Sequence, residues 1–311
     1  MADANTRTVR LALCVMIVTP LFFSTNLVFG RGVIGEVAPF TLAFLRWFCV
    51  CVALSPFIYM DRVALAEAFR ARPGLVLLLA TLGMWICGGW VYLGLQSTSA
   101  TNGTLIFTTS PVIVMLLEAA FGGRRMGWRE ALGAAIAFLG VATIILRGEP
   151  AALFALSFNA GDLIIMTGAI AWSVYSILFR APELGKPSNA AVLGMLAGVG
   201  ALLLLPVAFY EWASGSRMPA TSDAWTGIAG IVICASLLAF SGYQYGVRQL
   251  GPTLTSIFMY LMPAYGVMLA VLLLGERLQP FHLGGIALVM SGVILATFPA
   301  GWLRRKQRPR S

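Results

Sequence analysis

Apolar runs of about twenty residues, separated by short clusters of charge, proline and glycine, fill almost the entire chain. A helix crosses a hydrocarbon core in about 20 residues. That window predicts ten spans, at 9–30, 37–60, 74–96, 100–121, 127–146, 160–180, 188–210, 223–247, 253–274 and 279–301. The longest connections, 147–159 and 211–222, are too short to hold a soluble domain. The pattern therefore predicts an all-α integral membrane protein with ten transmembrane helices. The first run begins like a signal peptide, but its apolar stretch is too long and lacks a small-x-small cleavage site. It is expected to remain as the first span.

The pattern also repeats. Residues 108–146 overlay 260–298 without gaps at a shift of 152 residues. The overlay pairs Pro111 with Pro263, Gly123 with Gly275, Arg125 with Arg277, Gly133 with Gly285, Gly140 with Gly292 and Val141 with Val293. Two five-helix repeats follow, 1–148 and 149–303, with a basic tail at 304–311. Five is odd, so the second repeat must enter the membrane from the opposite side. Inverted repeats around a central cavity characterise secondary transporters. Proline has no N–H and disrupts its helix, and a carbonyl freed in a bilayer is tolerable only beside protein or water. Pro111 and Pro263 are thus expected on the helices that line the central path and change shape there.

Composition narrows the class. The chain is 59% hydrophobic and 11% charged, where a soluble domain carries roughly a quarter charged residues. The net charge of +9 is spread in short clusters between apolar runs, so it marks a membrane face and no nucleic-acid surface. With the N-terminus inside, sixteen of the 21 Lys and Arg residues fall on the inner side and four on the outer, leaving Arg46 within a span. That bias predicts both termini in the cytoplasm. It also accounts for Arg124 standing where the second copy has Glu276. The five cysteines sit inside apolar runs without disulfide or zinc spacing and read as small core residues. No cofactor and no metal site are expected.

The segment from Pro263 to Leu295, PAYGVMLAVLLLGERLQPFHLGGIALVMSGVIL, resembles the second domain of the EamA group in the drug/metabolite transporter superfamily. FSTNLVFGR (23–31), FLRW (44–47) and AWSVYSILFR (171–180) are similar to the group's other motifs, and the likeness covers almost the whole chain. Phe23, where the group commonly has Trp, and Arg124 depart from it. The resemblance implies ten helices, an inner-membrane location and export of small metabolites, amino acids among them.

Candidate site residues come from ionisable, aromatic and polar groups at depth. A charge at mid-bilayer costs about 2.5–3.5 kcal/mol on the lenient scale. Arg46 is the clear case, and it could receive a substrate carboxylate or bind helix carbonyls. Glu118 and Asp162 lie near helix ends and are expected to snorkel to water, and His282 is expected at the interface. No acid lies near the middle of a span, which disfavours proton-coupled export of organic cations.

Tyr59, Trp128, Tyr210, Trp212, Trp225 and Trp302 read as an interfacial belt. The deeper rings, Trp85, Trp90, Tyr92, Trp172, Tyr175, Tyr243, Tyr245, Tyr260 and Tyr265, are candidates for an aromatic wall that would suit an amino acid. Ordinary packing is the competing reading for each. Asn26, Asn102 and Thr108 supply polar groups, although such hydroxyls often only bond the preceding turn. Gly88 and Gly89 interrupt the third helix as a candidate hinge. Gly194 with Gly198 and Gly242 with Gly246 form small-xxx-small packing faces.

The expected function is secondary transport of small neutral or zwitterionic metabolites, amino acids above all and aromatic ones among them, by alternating access. Export of drugs or nucleotide-type metabolites is the nearest alternative, and a membrane receptor or scaffold the alternative from another class. The expected partners are a small-molecule substrate and membrane lipid. No nucleic acid or enzymatic activity is expected, and no oligomer is required.

Overall fold

Long helices dominate because an apolar chain in lipid must satisfy its backbone internally. A computed structural model describes residues 2–33, 35–98, 100–121, 127–155, 159–274 and 277–297, and among these the regular elements are all helical. The longer ones are α1 (Ala2–Val33), α2 (Pro39–Ala53), α3 (Pro73–Gly94), α4 (Asn102–Phe121), α5 (Trp128–Ile145), α6 (Ala160–Leu178), α7 (Asn189–Ala213), α8 (Ser222–Leu250), α9 (Pro252–Leu272) and α10 (Pro280–Thr297), with a further helix, Arg62–Ala71, between α2 and α3. Among the described residues nine helices are long and apolar enough to cross a membrane.

The exception to the expected ten is α2, only 15 residues long. It resumes after a turn at Leu54 as Ser55–Met60. Pro56, which has no N–H to donate, sits at the start of that second piece. The expected span 37–60 is thus a helix in two pieces. Gly123, Arg124, Arg125, Gly275, Glu276, Met1, Trp302 and the tail 304–311 lie outside the described residues.

Both repeat prolines follow a break in their own helix. α4 breaks at Thr108 and Thr109, just before Ser110-Pro111, and α9 breaks at Met259 and Tyr260, just before Pro263. A second pair of distortions occurs in α3 and α8, where Thr81–Trp90 and Ile231–Leu238 are π-helical. Within the first of these Gly88 leaves the helical backbone (φ −102°, ψ −105°). Each distortion has its counterpart at nearly the same place in the other half of the chain.

Contacts between the halves recur in the same way. The hydroxyl of Ser24 on α1 donates to Met262 O on α9 at 2.8 Å, and Ser173 on α6 donates to Ser110 O on α4 at 3.1 Å. Each serine shares its single hydroxyl proton with a carbonyl in the preceding turn of its own helix, Pro20 O and Ala169 O. Each inter-helix acceptor belongs to the residue directly before a repeat proline, Met262 before Pro263 and Ser110 before Pro111. Both clips therefore hold the backbone at a helix break. Ser24→Ala and Ser173→Ala are each expected to lower stability by about 1 kcal/mol, with additive losses in the double variant. Thermal unfolding in detergent measures this, and a loss confined to one serine would contradict the equivalence of the clips.

Two antiparallel helix pairs join the halves. In α5 and α10 the repeat glycines meet crosswise. A Cβ on Gly133 would lie 2.5 Å from Gly292 O, and one on Gly140 would lie 2.7 Å from Gly285 O. In α2 and α7, Gly198 packs on Cys51 and Gly194 on Leu54 and Ile58. α1 packs on α8 and α9, and α6 packs on α3 and α4. Gly242 and Gly246 admit Thr19 and Met16 of α1.

Carboxylates hold both ends of the α2–α7 pair. α2 starts at Ala38-Pro39 with no side-chain cap of its own. Glu211 of α7 supplies one, accepting from Phe40 N at 3.2 Å, Thr41 N at 2.7 Å and the Thr41 hydroxyl at 2.8 Å. At the other end Asp61, just past Ser55–Met60, accepts from Ser188 N at 2.7 Å, where α7 begins. Hydrogen bonds from Ser188 hold the Asp61 carboxyl below the usual carboxylate range.

Candidate functional site

Arg46 lies where the two halves meet, in the middle of α2. It is 5% exposed, and a guanidinium at that depth must find acceptors. Its Nε donates to the Ser236 hydroxyl at 2.6 Å and its Nη2 to Ala235 O at 3.0 Å, both in the π-helix of α8. Its Nη1 donates to the Tyr92 hydroxyl at 2.9 Å, just past the π-helix of α3. The guanidinium also sits 4.8 Å from the Trp47 ring centroid and 5.7 Å from that of Phe240, within range of cation–π attraction. Of the two expected partners for Arg46, a helix carbonyl is the one present here, joined by two hydroxyls.

Phe240 leads from Arg46 into a block of buried rings. Trp172 stands edge-on to it at 5.3 Å, tilts against Tyr243 at 4.6 Å and stacks on Tyr175 at 5.6 Å. Phe23 closes the block against Trp172, Phe240 and Tyr243. The hydroxyls are served by neighbours: Ser176 pairs with Tyr243 at 2.7 Å, and Gln244 Nε2 donates to Tyr175 at 2.7 Å. Among the described residues, the polar atoms buried without a hydrogen-bond partner include Asn26 Oδ1, Trp47 Nε1, Gln244 Oε1, Thr255 Oγ1 and the Tyr260 hydroxyl.

The other candidates are placed apart from this block. Trp85 and Trp90 stack on each other at 5.7 Å, with Phe40 against Trp85, and Trp90 Nε1 donates to the Thr167 hydroxyl at 3.2 Å. The Thr108 hydroxyl bonds Thr104 O at 2.6 Å in the preceding turn. Tyr265 donates to Ile17 O at 2.8 Å and borders an apolar cleft of about 350 Å³ between α9 and α10, with Leu261, Met268 and Ile286. That cleft is lined by carbon and lies away from the polar groups of Arg46. Gly88 faces Trp47 Nε1, and a Cβ on Gly89 would run into the Phe40 ring.

Asn102 belongs to a network at one end of the bundle, and this corrects the expectation for the acids. Asp162 is 3% exposed. It accepts from the Thr98 hydroxyl, from Asn102 Nδ2 at 3.2 Å and from Asn159 N at 2.8 Å. At the opposite end Glu118, 4% exposed, accepts from Arg180 Nη1 at 3.0 Å, from Thr253 N at 3.3 Å and from the Thr253 hydroxyl. Neither carboxylate snorkels. Donors from other helices replace water, as a buried charge requires.

Tyr59, Trp128, Tyr210 and Trp225 are exposed, whereas Trp212 is partly buried and donates to the Thr41 hydroxyl at 3.0 Å. His282 lies at the start of α10, where its Nδ1 accepts from Gln279 N at 3.1 Å. Sequence reasoning missed Trp47, Glu211 and Ser236. Trp47 adjoins Arg46 in FLRW and could have been flagged, but nothing local marks the other two.

Comparison with known proteins gives concordant matches. The model of the EamA-like transporter family matches twice, over residues 10–146 and 159–298. The chain is 26% identical over 279 residues to the uncharacterized transporter YyaM of Bacillus subtilis, covering 89% of this chain and 90% of that one. It is 30% identical over 196 residues to a "Probable terminal-alkyne amino-acid exporter" of Streptantibioticus cattleyicolor, covering 63% of each. The uncharacterized inner membrane transporter YedA of Escherichia coli is 24% identical over 66% of each chain. A solved crystal structure shares the fold, with a TM-score of 0.72 and 18% identity over 92% of this chain and 97% of that one.

Proposed function

Given that this chain belongs to the EamA-like transporter family, we propose that it is a secondary transporter exporting small neutral or zwitterionic metabolites, amino acids above all, by alternating access. The protein is a multi-pass membrane protein, and its relatives are named as transporters rather than enzymes. The observation that carries the mechanism is the paired deformation of the central helices. Proline breaks in α4 and α9 and π-helices in α3 and α8 recur in the two halves. Bends of this kind sit where backbone leaves regular geometry beside a path or cavity. In this reading the halves 1–148 and 149–303 are inverted five-helix repeats, α2 completes ten crossings with Ser55–Met60, and the two halves rock about the level of Arg46.

Amino acids are favoured on three grounds. One relative is named an amino-acid exporter. The ring block around Trp172 offers apolar surface with hydroxyls at its edges. The described acids with buried side chains, Glu118 and Asp162, are engaged near the bundle ends rather than beside the rings, which leaves no mid-depth counter-charge for an organic cation. The Lys/Arg bias supports a reading with both termini in the cytoplasm, and the relatives support an inner-membrane location. Reconstitution into liposomes with labelled amino acids, nucleosides and cationic dyes tests the reading. Amino-acid counterflow is expected, and dye or nucleoside flux without amino-acid flux would overturn the substrate class.

A further inference from the structure

We propose that Arg46 and the indole N–H of Trp47 form a binding site for a carboxylate of the transported molecule, at the glycine notch of Gly88. The inference rests on the carrier reading and names the chemical group its substrate must present. A guanidinium has five N–H donors. Arg46 engages Ser236, Ala235 and Tyr92, and all three acceptors are neutral. The charge itself has no counter-charge among its partners. The two buried carboxylates with cross-helix bonds, Glu118 and Asp162, are held at the ends of the bundle by other donors. A buried cation without an anion is costly, and an anion that arrives and leaves accounts for keeping it.

The second observation is independent of that charge. Trp47 is 1% exposed, and its Nε1 is buried without a partner. An unpaired buried donor carries a desolvation penalty of about 1–3 kcal/mol. The same indole ring lies under the guanidinium, with its centroid 4.8 Å from Arg46 Cζ, so the two donor groups are immediate neighbours. The indole N–H faces Gly88, where a Cβ would sit 3.3 Å from Nε1. Gly88 has no side chain, and the backbone there is the non-helical point of the α3 π-helix. π-helical turns often occur at functional sites. Here one lies on each side of Arg46: the α8 turn supplies Ser236 and Ala235, and Tyr92 follows the α3 turn. One carboxylate oxygen would take a charge-assisted N–H bond from Arg46 and the other the N–H of Trp47.

The test uses the full-length protein in detergent. Thermal unfolding is followed with each proteinogenic amino acid, its methyl ester and the amine lacking the carboxyl group. At least one acid is expected to raise the unfolding temperature while its ester and amine do not. Arg46→Lys is expected to weaken that binding about tenfold, since a point charge replaces a fork. Trp47→Phe keeps a ring and is expected to weaken it about fivefold through one lost hydrogen bond. Gly88→Ala, which fills the notch without touching a charge, is expected to weaken it as well. Esters that stabilise as strongly as acids would overturn the proposal. So would full stabilisation in both Trp47→Phe and Gly88→Ala, or no stabilisation by any carboxylate. Flux of uncharged substrates into liposomes alongside such a failure would leave the carrier reading standing and remove only the carboxylate site.

Discussion

Gly292→Leu is expected to unfold well below the parent protein in detergent, while Gly284→Leu unfolds with it. The two glycines lie on the same helix and have opposite surroundings. A Cβ on Gly292 would meet Gly133 O and lie 2.5 Å from Ala137 N and 2.9 Å from Ala137 Cα, all backbone atoms of α5. Nothing lies within 4 Å of a Cβ on Gly284. Side chains can rotate away from an added methyl, but a facing helix backbone can only move as a body. Overpacking costs about 1–3 kcal/mol, and in lipid close packing is a main source of helix association. Gly133→Leu is expected to match Gly292→Leu, because it strikes the same contact from the other helix. The double variant is expected to lose less than the sum of the two, as neighbours sharing one contact do. Equal unfolding temperatures for the Gly284 and Gly292 variants would contradict the crosswise glycine contact.

Glu118→Ala is expected to loosen the end of the bundle at which α4 and α6 finish and α9 begins. The carboxylate receives Arg180, Thr253 N and the Thr253 hydroxyl, so one side chain ties three helices together. Arg180 is half exposed, and water screens much of its share. The buried bonds to Thr253 carry the larger part, at about 1.5–3 kcal/mol for bonds to a charged group. Under the proposed alternating access, with two conformations a few kcal/mol apart, a loss of that size shifts the population about tenfold or more toward the state open at this end. A single cysteine at Thr255, in a background without the five native cysteines, reports the shift. Thr255 is 0% exposed with Glu118 intact. Maleimide labelling from the side of the membrane at which Glu118 lies is expected to accelerate in Glu118→Ala, and to accelerate less in Glu118→Gln, which still accepts hydrogen bonds. Unchanged labelling in Glu118→Ala would show that this network does not hold the end closed.

The apolar runs, the two prolines and the repeat glycines are legible in the sequence because each acts through a local property. A run of apolar residues must sit in lipid, a proline cannot donate, and a glycine has no side chain wherever it packs. Hence Pro111 and Pro263 mark the breaks in α4 and α9, and Gly133, Gly140, Gly285 and Gly292 mark the close pair. Gly88-Gly89 hints at the distortion of α3. Its counterpart in α8, IVICASLL, contains no residue that announces a π-helix. The break of α2 at Leu54 has its cause in Pro56, but hydropathy, from which the span is read, does not register one missing donor.

What the chain determined alone was its solvent and the weak points of its helices, since hydrophobicity and backbone donors belong to each residue by itself. Which groups meet was decided only in three dimensions. Ser24 reaches a carbonyl 238 positions away, Glu211 caps a helix that has no cap of its own, and Glu118 and Asp162 turn inward to donors on other helices instead of outward to water. Arg46 shows the division most clearly. Its cost in a membrane could be read from its type, but its hydroxyl and carbonyl partners come from α3 and α8. The fold alone brings them within reach, because the energy of a hydrogen bond depends on distances that no local stretch of sequence can set.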